Sequence, residues 1–332
     1  MGKSTSHALP PLDEKDMHIL FELEQDCNRS LDEIAKRTGL SKQTLHYRIQ
    51  RLVDEGVITG FITAIDAAKL GLANYEVLMQ LSPMNDLEKK KFLDFLIVHE
   101  NVGQVASCSG KFDLTMGILA ENVVQFNSIF KGMLGRFPDY VKNYHVSLPY
   151  ELMSYPRTIL IKTEKERKPT LVNNEPRQIG LDEEDVKILH GLSKNARIPV
   201  VDLAKAAGIS PNTVRQKVKR LENEKVIQKY TILLQPSKMG FQNYELLVNT
   251  QNMAEEDEGK IESFCKTNTH VTLLQKAVGK WDLEIVFDAK DSEHFQSFLT
   301  EFRACFSNII KEFEYVPILY VYKVNYLPMT RI

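Results

Sequence analysis

Two short stretches of this chain carry side chains suited to gripping a polyanion. Leu45, Ile49 and Leu52 recur at i, i+4 and i+7, which puts them on one buried stripe of a helix. The opposite face then shows Lys42, Gln43, His46, Tyr47 and Arg51, with Thr44 and Arg48 flanking it. Val214, Val218 and Leu221 repeat the stripe, and their opposite face shows Asn212, Arg215, Gln216, Lys219 and Arg220, flanked by Thr213 and Lys217. Cationic and amide side chains of this kind bond phosphates and the edges of bases. The residues expected to contact double-stranded DNA are these together with the cap serines Ser41 and Ser210. A basic helix face can also be simply solvated, but here it recurs at matching places in two parts of the chain.

Each stretch follows a recognisable lead-in. Gly39 and Gly208 end a short helix where positive φ suits glycine, and Ser41 and Ser210 sit two residues later, at a cap position. Helix, glycine, turn and capped helix form a helix-turn-helix. Ahead of it, Asp13 is placed to cap a first helix built on Ile19, Leu20 and Leu23, matched by Asp182 with Ile188, Leu189 and Leu192. The run Asp54 to Gly60 reads as a turn into a β-wing. Lys205 to Lys229 holds seven Lys and Arg against two Glu, so the patch is basic although the whole chain carries a net charge of −2.

These correspondences belong to a repeat. Shifted by 169 residues, the sequence matches itself without a gap, with 23 identities among the 70 pairs of residues 12–81. Average residue usage would give roughly 4 or 5. Asn74-Tyr75-Glu76 falls on Asn243-Tyr244-Glu245, and Gly110-Lys111-Phe112-Asp113-Leu114 on Gly279-Lys280-Trp281-Asp282-Leu283. The second half of each unit alternates as strand, helix, two strands joined by a hairpin, helix and strand, the split βαβ order of a ferredoxin-like domain.

The expected fold class is therefore α+β: two copies of a winged helix-turn-helix, each followed by a ferredoxin-like βαββαβ domain. The expected ranges are 12–65 and 70–160 for copy one, 161–180 for a polar linker containing Pro169 and Pro176, and 181–234 and 239–328 for copy two. The hairpins running from Gly110 to Asp113 and from Gly279 to Asp282 are the polar constellation that both sensor halves share. They suit either a capped turn or a seat for a small zwitterion between sheets.

In this ordered set of motifs the chain resembles the Lrp/AsnC (feast/famine) family of transcription regulators. The resemblance implies a C-terminal amino-acid-sensing (RAM-type) domain, pairing through the sensor sheets, and effector binding near Gly110, Asp113, Gly279 and Asp282. Two fused copies are expected to form an intramolecular pseudo-dimer or a homo-oligomer. Copy two departs from the family at Lys225, where copy one has the favoured Gly56. Siroheme decarboxylases resemble the same family and hold a tetrapyrrole carboxylate on a His-Asn-Tyr-Arg cluster. The corresponding strands here, Val105 to Ser109 and Leu274 to Val278, have neither His nor Arg. A purely structural assembly scaffold is the other alternative.

No catalytic residues, metal ligands or cofactor are expected. No apolar run reaches the length of a membrane span, the first eleven residues lack the apolar centre of a secretory leader, and the four cysteines form no CxxC pair. A cytoplasmic protein with no membrane partner is expected. His99 and His145 have no counterpart in the other copy and read as structural.

Overall fold

The computed structural model describes residues 12–163, 167–173 and 179–327. Residues 164–166 and 174–178 of the expected linker, Pro176 among them, residue 328 and the stretch read for a leader lie outside the described residues. Copy one begins with three helices, α1 (Glu14–Gln25), α2 (Leu31–Thr38) and α3 (Lys42–Asp54), followed by strand β1 (Ile58–Ile65). Then come β2 (Ala73–Leu81), α4 (Asp86–Val98), β3 (Val102–Cys108), β4 (Leu114–Ala120), α5 (Val123–Arg136) and β5 (Val141–Ser154). A short strand, β6 (Thr170–Asn173), precedes copy two.

The same order returns as α6 (Glu183–Lys194), α7 (Val200–Ala207), α8 (Pro211–Asn223) and β7 (Ile227–Leu234). It continues through β8 (Gln242–Thr250), α9 (Glu255–Thr267), β9 (Val271–Gly279), β10 (Leu283–Ala289), α10 (Ser292–Phe306) and β11 (Ile310–Val324). Among the described residues no helix is long and apolar enough to cross a membrane.

The first helices start where the sequence places their caps. Asp13 accepts from Asp16 N at 2.8 Å, and Asp182 from Asp185 N at 2.9 Å. Gly39 and Gly208 end α2 and α7 with φ of 66° and 75°.

The expected wing takes another form. Neither β1 nor β7 folds into a hairpin of its own; they pair with each other, antiparallel, across the two copies. Ile62 lies opposite Thr231, its own counterpart under the 169-residue shift, so a pseudo-two-fold axis passes through the ribbon. A lone strand leaves a row of unpaired backbone groups. The partner copy satisfies them, and no local residue pattern announces that pairing. Each DNA module also docks on the other copy's strand: Cys27 N donates to Tyr230 O at 3.1 Å and Ala196 N to Phe61 O at 2.9 Å.

The turns before these strands differ in sequence but not in shape. Gly56 has φ of 70°, and Lys225 holds the same left-handed conformation at 58°. A side chain there is strained by about 1 kcal/mol. We expect Lys225→Gly to raise stability by about that amount, read as a higher denaturant midpoint; an unchanged or lower midpoint would contradict this reading of the turn.

The sensor strands close into a barrel. Copy one runs β5-β2-β4-β3 and copy two β11-β8-β10-β9, each the 4-1-3-2 order of a ferredoxin-like sheet. β3 joins β11 and β9 joins β5, and the registers correspond: Cys108 opposes Ile318 as Ala277 opposes Pro149. Both joints thus obey the axis that passes through the ribbon.

Alternation along the strands makes two kinds of core. In β2, Tyr75, Val77 and Met79 pack under α4 and α5 with Phe92, Phe126 and Phe130, while Glu76 and Leu78 face the barrel interior. Tyr244, Leu246 and Val248 of β8 do the same under α9 and α10. Leu78, Cys108, Phe112, Leu247, Trp281 and Val316 form an apolar plug between the sheets.

The expected linker buries more than its composition suggests. β6 adds to β5, and Arg167 is only 3% exposed. Its guanidinium donates to the carbonyls of Cys265, Asn268 and Val271, around the C-terminal end of α9. Carbonyls at a helix end lack internal partners and carry partial negative charge. One arginine therefore straps the segment to the sensor half of copy two.

Candidate nucleic-acid interface and sensor interior

The recognition helices α3 and α8 present two groups of side chains. Ser41 and Ser210 cap the helices, each accepting from the amide of Thr44 or Thr213 at 3.1 Å, while the paired hydroxyls lie 2.8 Å apart. Gln43, His46 and Tyr47 are exposed and have no side-chain partner among the described residues; Tyr47 is 68% exposed. Gln216 and Lys219 stand likewise exposed in copy two, and Arg215 bonds only its helix neighbour Asn212, at 2.9 Å. Lys42 is exposed and meets Asp32 at 2.9 Å.

The second group faces inward. Arg48 bonds Asp13 at 2.7 Å and Asp16 at 2.9 Å, and Arg51 bonds Asp16 at 2.5 Å. Lys217 contacts Asp182, Glu184 and Asp185, and Arg220 bonds Asp185. Asp16 and Asp185 are buried at the first turn of α1 and α6. The bond from Lys217 holds the Asp182 carboxyl down at about 2, and the bonds from Asp13 and then Asp16 raise Arg48. These four cations, read from sequence as DNA contacts, are therefore spent in both copies on fixing the recognition helix to the first helix. Arg51 and Arg220 stand at i+4 from Tyr47 and Gln216, and Arg48 and Lys217 flank the same face, which concealed the difference.

The Gly-x-x-Asp hairpins lie at the seam between the sensor sheets. Ser109 N donates to Pro317 O at 3.0 Å across one joint, and Gly279 opposes Ser147 across the other. The Asp113 carboxylate accepts from Leu81 N at 2.8 Å. Asp282 accepts from Thr250 N at 2.6 Å, Thr250 Oγ1 at 3.0 Å and Asn249 Nδ2 at 3.2 Å. Both carboxylates thus cap the end of a sheet strand. Gly110 takes φ of 94°, while a Cβ at Gly279 would come within 2.9 Å of Val146 O.

Two features of the interior escaped the sequence reading. A cavity of about 340 Å³ runs from the barrel interior towards the β1–β7 ribbon, with Asn74, Glu76, Glu245 and Gln275 among its lining residues. Such volumes are typical of small-molecule sites. Glu76 accepts from Gln275 Nε2 at 2.6 Å and from Thr115 Oγ1 at 3.2 Å. Glu284 accepts from the same amide and from Ser147 Oγ at 3.1 Å. Burial, then the charge of Glu76, pushes Glu245 up to about 8; burial, then Glu76 and Glu245, pushes Glu284 well above the carboxylate range.

The other feature is Arg157. It bonds Glu24 of α1 at 2.6 Å and Asp288 of β10 at 2.7 Å, tying DNA module one to the sensor half of copy two. Burial opposes its charge, yet Asp288 and Glu24 raise its pKa further.

Comparison with known proteins bears on both DNA modules. Residues 12–59 match the family model for a winged helix-turn-helix DNA-binding domain, and residues 181–222 that for an AsnC-type helix-turn-helix domain. HTH-type transcriptional regulator FL11 of Pyrococcus horikoshii is 31% identical over 131 residues, 39% of this chain and 83% of that protein. Transcriptional regulator AzlB of Bacillus subtilis is 30% identical over 128 residues, 38% of this chain and 82% of that protein.

The chain belongs to the Lrp/AsnC family.

It is a DNA-binding transcription regulator of Lrp/AsnC type. The proline dehydrogenase transcriptional activator of Rhizobium radiobacter is 28% identical over 138 residues, 41% of this chain and 87% of that protein. Each of these relatives thus aligns with well under half of the present Lrp/AsnC-type chain. Among solved structures, that of the siroheme decarboxylase NirDL covers 95% of this chain and 94% of its own, with a TM-score of 0.60. At 13% identity that likeness is one of fold alone. In this Lrp/AsnC-type regulator, His145 packs edge-on against Phe112, and among the described residues no histidine lines the interior cavity.

Proposed function

We propose that a single chain reads two unlike DNA half-sites at once, about one helical turn apart. The observation that carries this is the β1–β7 ribbon centred on Ile62 and Thr231, which relates two recognition helices whose exposed faces differ. His46 and Tyr47 of one face stand where the other has Arg215 and Gln216. An arginine in the major groove favours the O6 and N7 of guanine, whereas glutamine suits adenine. The proposed base-reading residues are Gln43, His46 and Tyr47, and Asn212, Arg215, Gln216 and Lys219. Lys42, Ser41, Thr44, Ser210 and Thr213 line the approach to phosphates, and Arg48, Arg51, Lys217 and Arg220 position the helices.

The finer part of the proposal is an amino-acid-like effector at the seam of Gly110, Asp113, Gly279 and Asp282. Family membership supports it. Because both carboxylates cap strands, the hairpin backbone is what remains to hold such a ligand. A carboxylate-rich tetrapyrrole is a poorer occupant of the interior. Glu76 and Glu245 stand in the wall where such a ligand needs cations, and Arg157 is already bonded to Glu24 and Asp288.

The test is selection of bound duplexes from random sequence, with and without pooled amino acids. We expect a bipartite site whose halves differ, with Arg215→Ala relaxing only one half and His46→Ala only the other. A strict palindrome that both variants weaken equally would refute the proposal, and an unchanged selection with amino acids would remove its effector part.

A further inference from the structure

Inside the barrel, Glu76, Glu245 and Glu284 each offer a carboxylate oxygen, and these three atoms all lie within 4.8 Å of one another. Oxygens bound to one cation at about 2.1–2.4 Å can be no farther apart than that. Two of the acids have a partner: Glu76 and Glu284 share the amide of Gln275. Glu245 is 7% exposed, lines the cavity, and has neither a hydrogen bond nor an ion pair among the described residues. Burying a carboxylate with no donor is costly unless something positive meets it.

The cluster is specific to a fused chain. Glu76 and Glu245 are counterparts in the repeat and face each other across its axis, but Glu284 stands where copy one has Thr115, and Gln275 where it has Ala106. The two copies thus give the interior one extra acid, beyond the pair the repeat supplies.

We propose that this cluster binds one hard divalent cation of the Mg²⁺, Mn²⁺ or Ca²⁺ class, on the wall of the barrel cavity. The donors are oxygens throughout, with Thr115, Ser147 and Gln275 beside them, and thiol and imidazole ligands are not part of the set. Such a donor set selects hard cations over zinc or copper. Three protein oxygens leave coordination positions open, and the adjoining cavity of about 340 Å³ has room for the waters to fill them. The cation would join β2, β8 and β10, strands from both copies, so it would brace the two sensor halves against each other.

The experiment uses the full chain, freed of metal by a chelator and titrated with MnCl₂ by calorimetry, with thermal unfolding in parallel. One Mn²⁺ per chain and a raised unfolding temperature are expected. Glu245→Gln and Glu284→Thr should each weaken binding by at least about tenfold. Without metal, Glu245→Gln should unfold no lower than the unaltered protein, because Glu245 has no hydrogen bond or ion pair to lose among the described residues; if Glu284→Thr does not fold, Glu245→Gln decides alone. The proposal is overturned by three results: no binding up to about 10 mM Mn²⁺, equal affinity in Glu245→Gln, or a shift that methylammonium chloride reproduces in full.

Discussion

Alanine at His46, Tyr47, Arg215 and Lys219 together should reduce affinity for the selected site by at least about 10³-fold, to the level of non-specific binding. These side chains stand on the outer faces of α3 and α8 and serve no packing, so their removal costs the fold little; Tyr47 is 68% exposed. Each good base contact discriminates by about 1–3 kcal/mol, and contacts at separate positions add roughly. The unfolding temperature should move by no more than about 2 °C. Arg48→Ala makes the informative contrast. It releases Asp13 and leaves the buried Asp16 to Arg51 alone, so it should lower stability and weaken DNA binding together. Binding by the fourfold variant at unaltered affinity would show that DNA meets some other surface.

The second large effect is expected at Arg157. Its guanidinium bridges Glu24, 5% exposed, and Asp288, which is fully buried. Arg157→Met leaves two carboxylates in the interior with their main cation gone, and breaking a buried pair typically costs about 3–5 kcal/mol. For a chain of this size that corresponds to a fall in unfolding temperature of roughly 4–7 °C. Adding Glu24→Gln and Asp288→Asn to Arg157→Met should recover most of the loss, since an uncharged cluster needs no counter-ion. Copy two has no matching latch: the counterparts of Arg157, Glu24 and Asp288 are Tyr326, Ser193 and Leu119. DNA module one is therefore joined to the barrel by charge and module two by apolar packing around Tyr326 and Leu327. An unaltered unfolding temperature in Arg157→Met would contradict this account of the join.

What was legible in the sequence depended on how local its cause is. Helix caps and stripes are decided within a few residues, so Asp13, Ser41 and Gly39 announce α1, α3 and the end of α2. The βαββαβ order follows equally from alternation and hairpin spacing. The pairing of β1 with β7, and of β3 with β11, joins residues more than 160 positions apart, and no period or motif encodes it. Arg48 and Arg51 look like DNA contacts because a helical wheel shows which side a residue faces, not whether a neighbouring helix carries Asp16 on that side.

The interior acids were the least legible part. A glutamate alternating with Tyr75 and Val77 in a strand ordinarily faces water, and Glu76 does not because the second sheet covers it. The signal that was present is the match of Asn74-Tyr75-Glu76 with Asn243-Tyr244-Glu245. A repeat that keeps an acid on the same strand face in both copies places two carboxylates symmetrically about its axis.

The most direct measurement is fluorescence anisotropy of a labelled duplex carrying the selected bipartite site, titrated with full-length protein at about 50 and 200 mM salt. We expect saturation at one chain per pair of half-sites, with affinity falling about 10²-fold between the two salt concentrations as phosphate contacts release their counterions. Folded protein that leaves the anisotropy unchanged at the lower salt, or that needs two chains to fill one bipartite site, would contradict it.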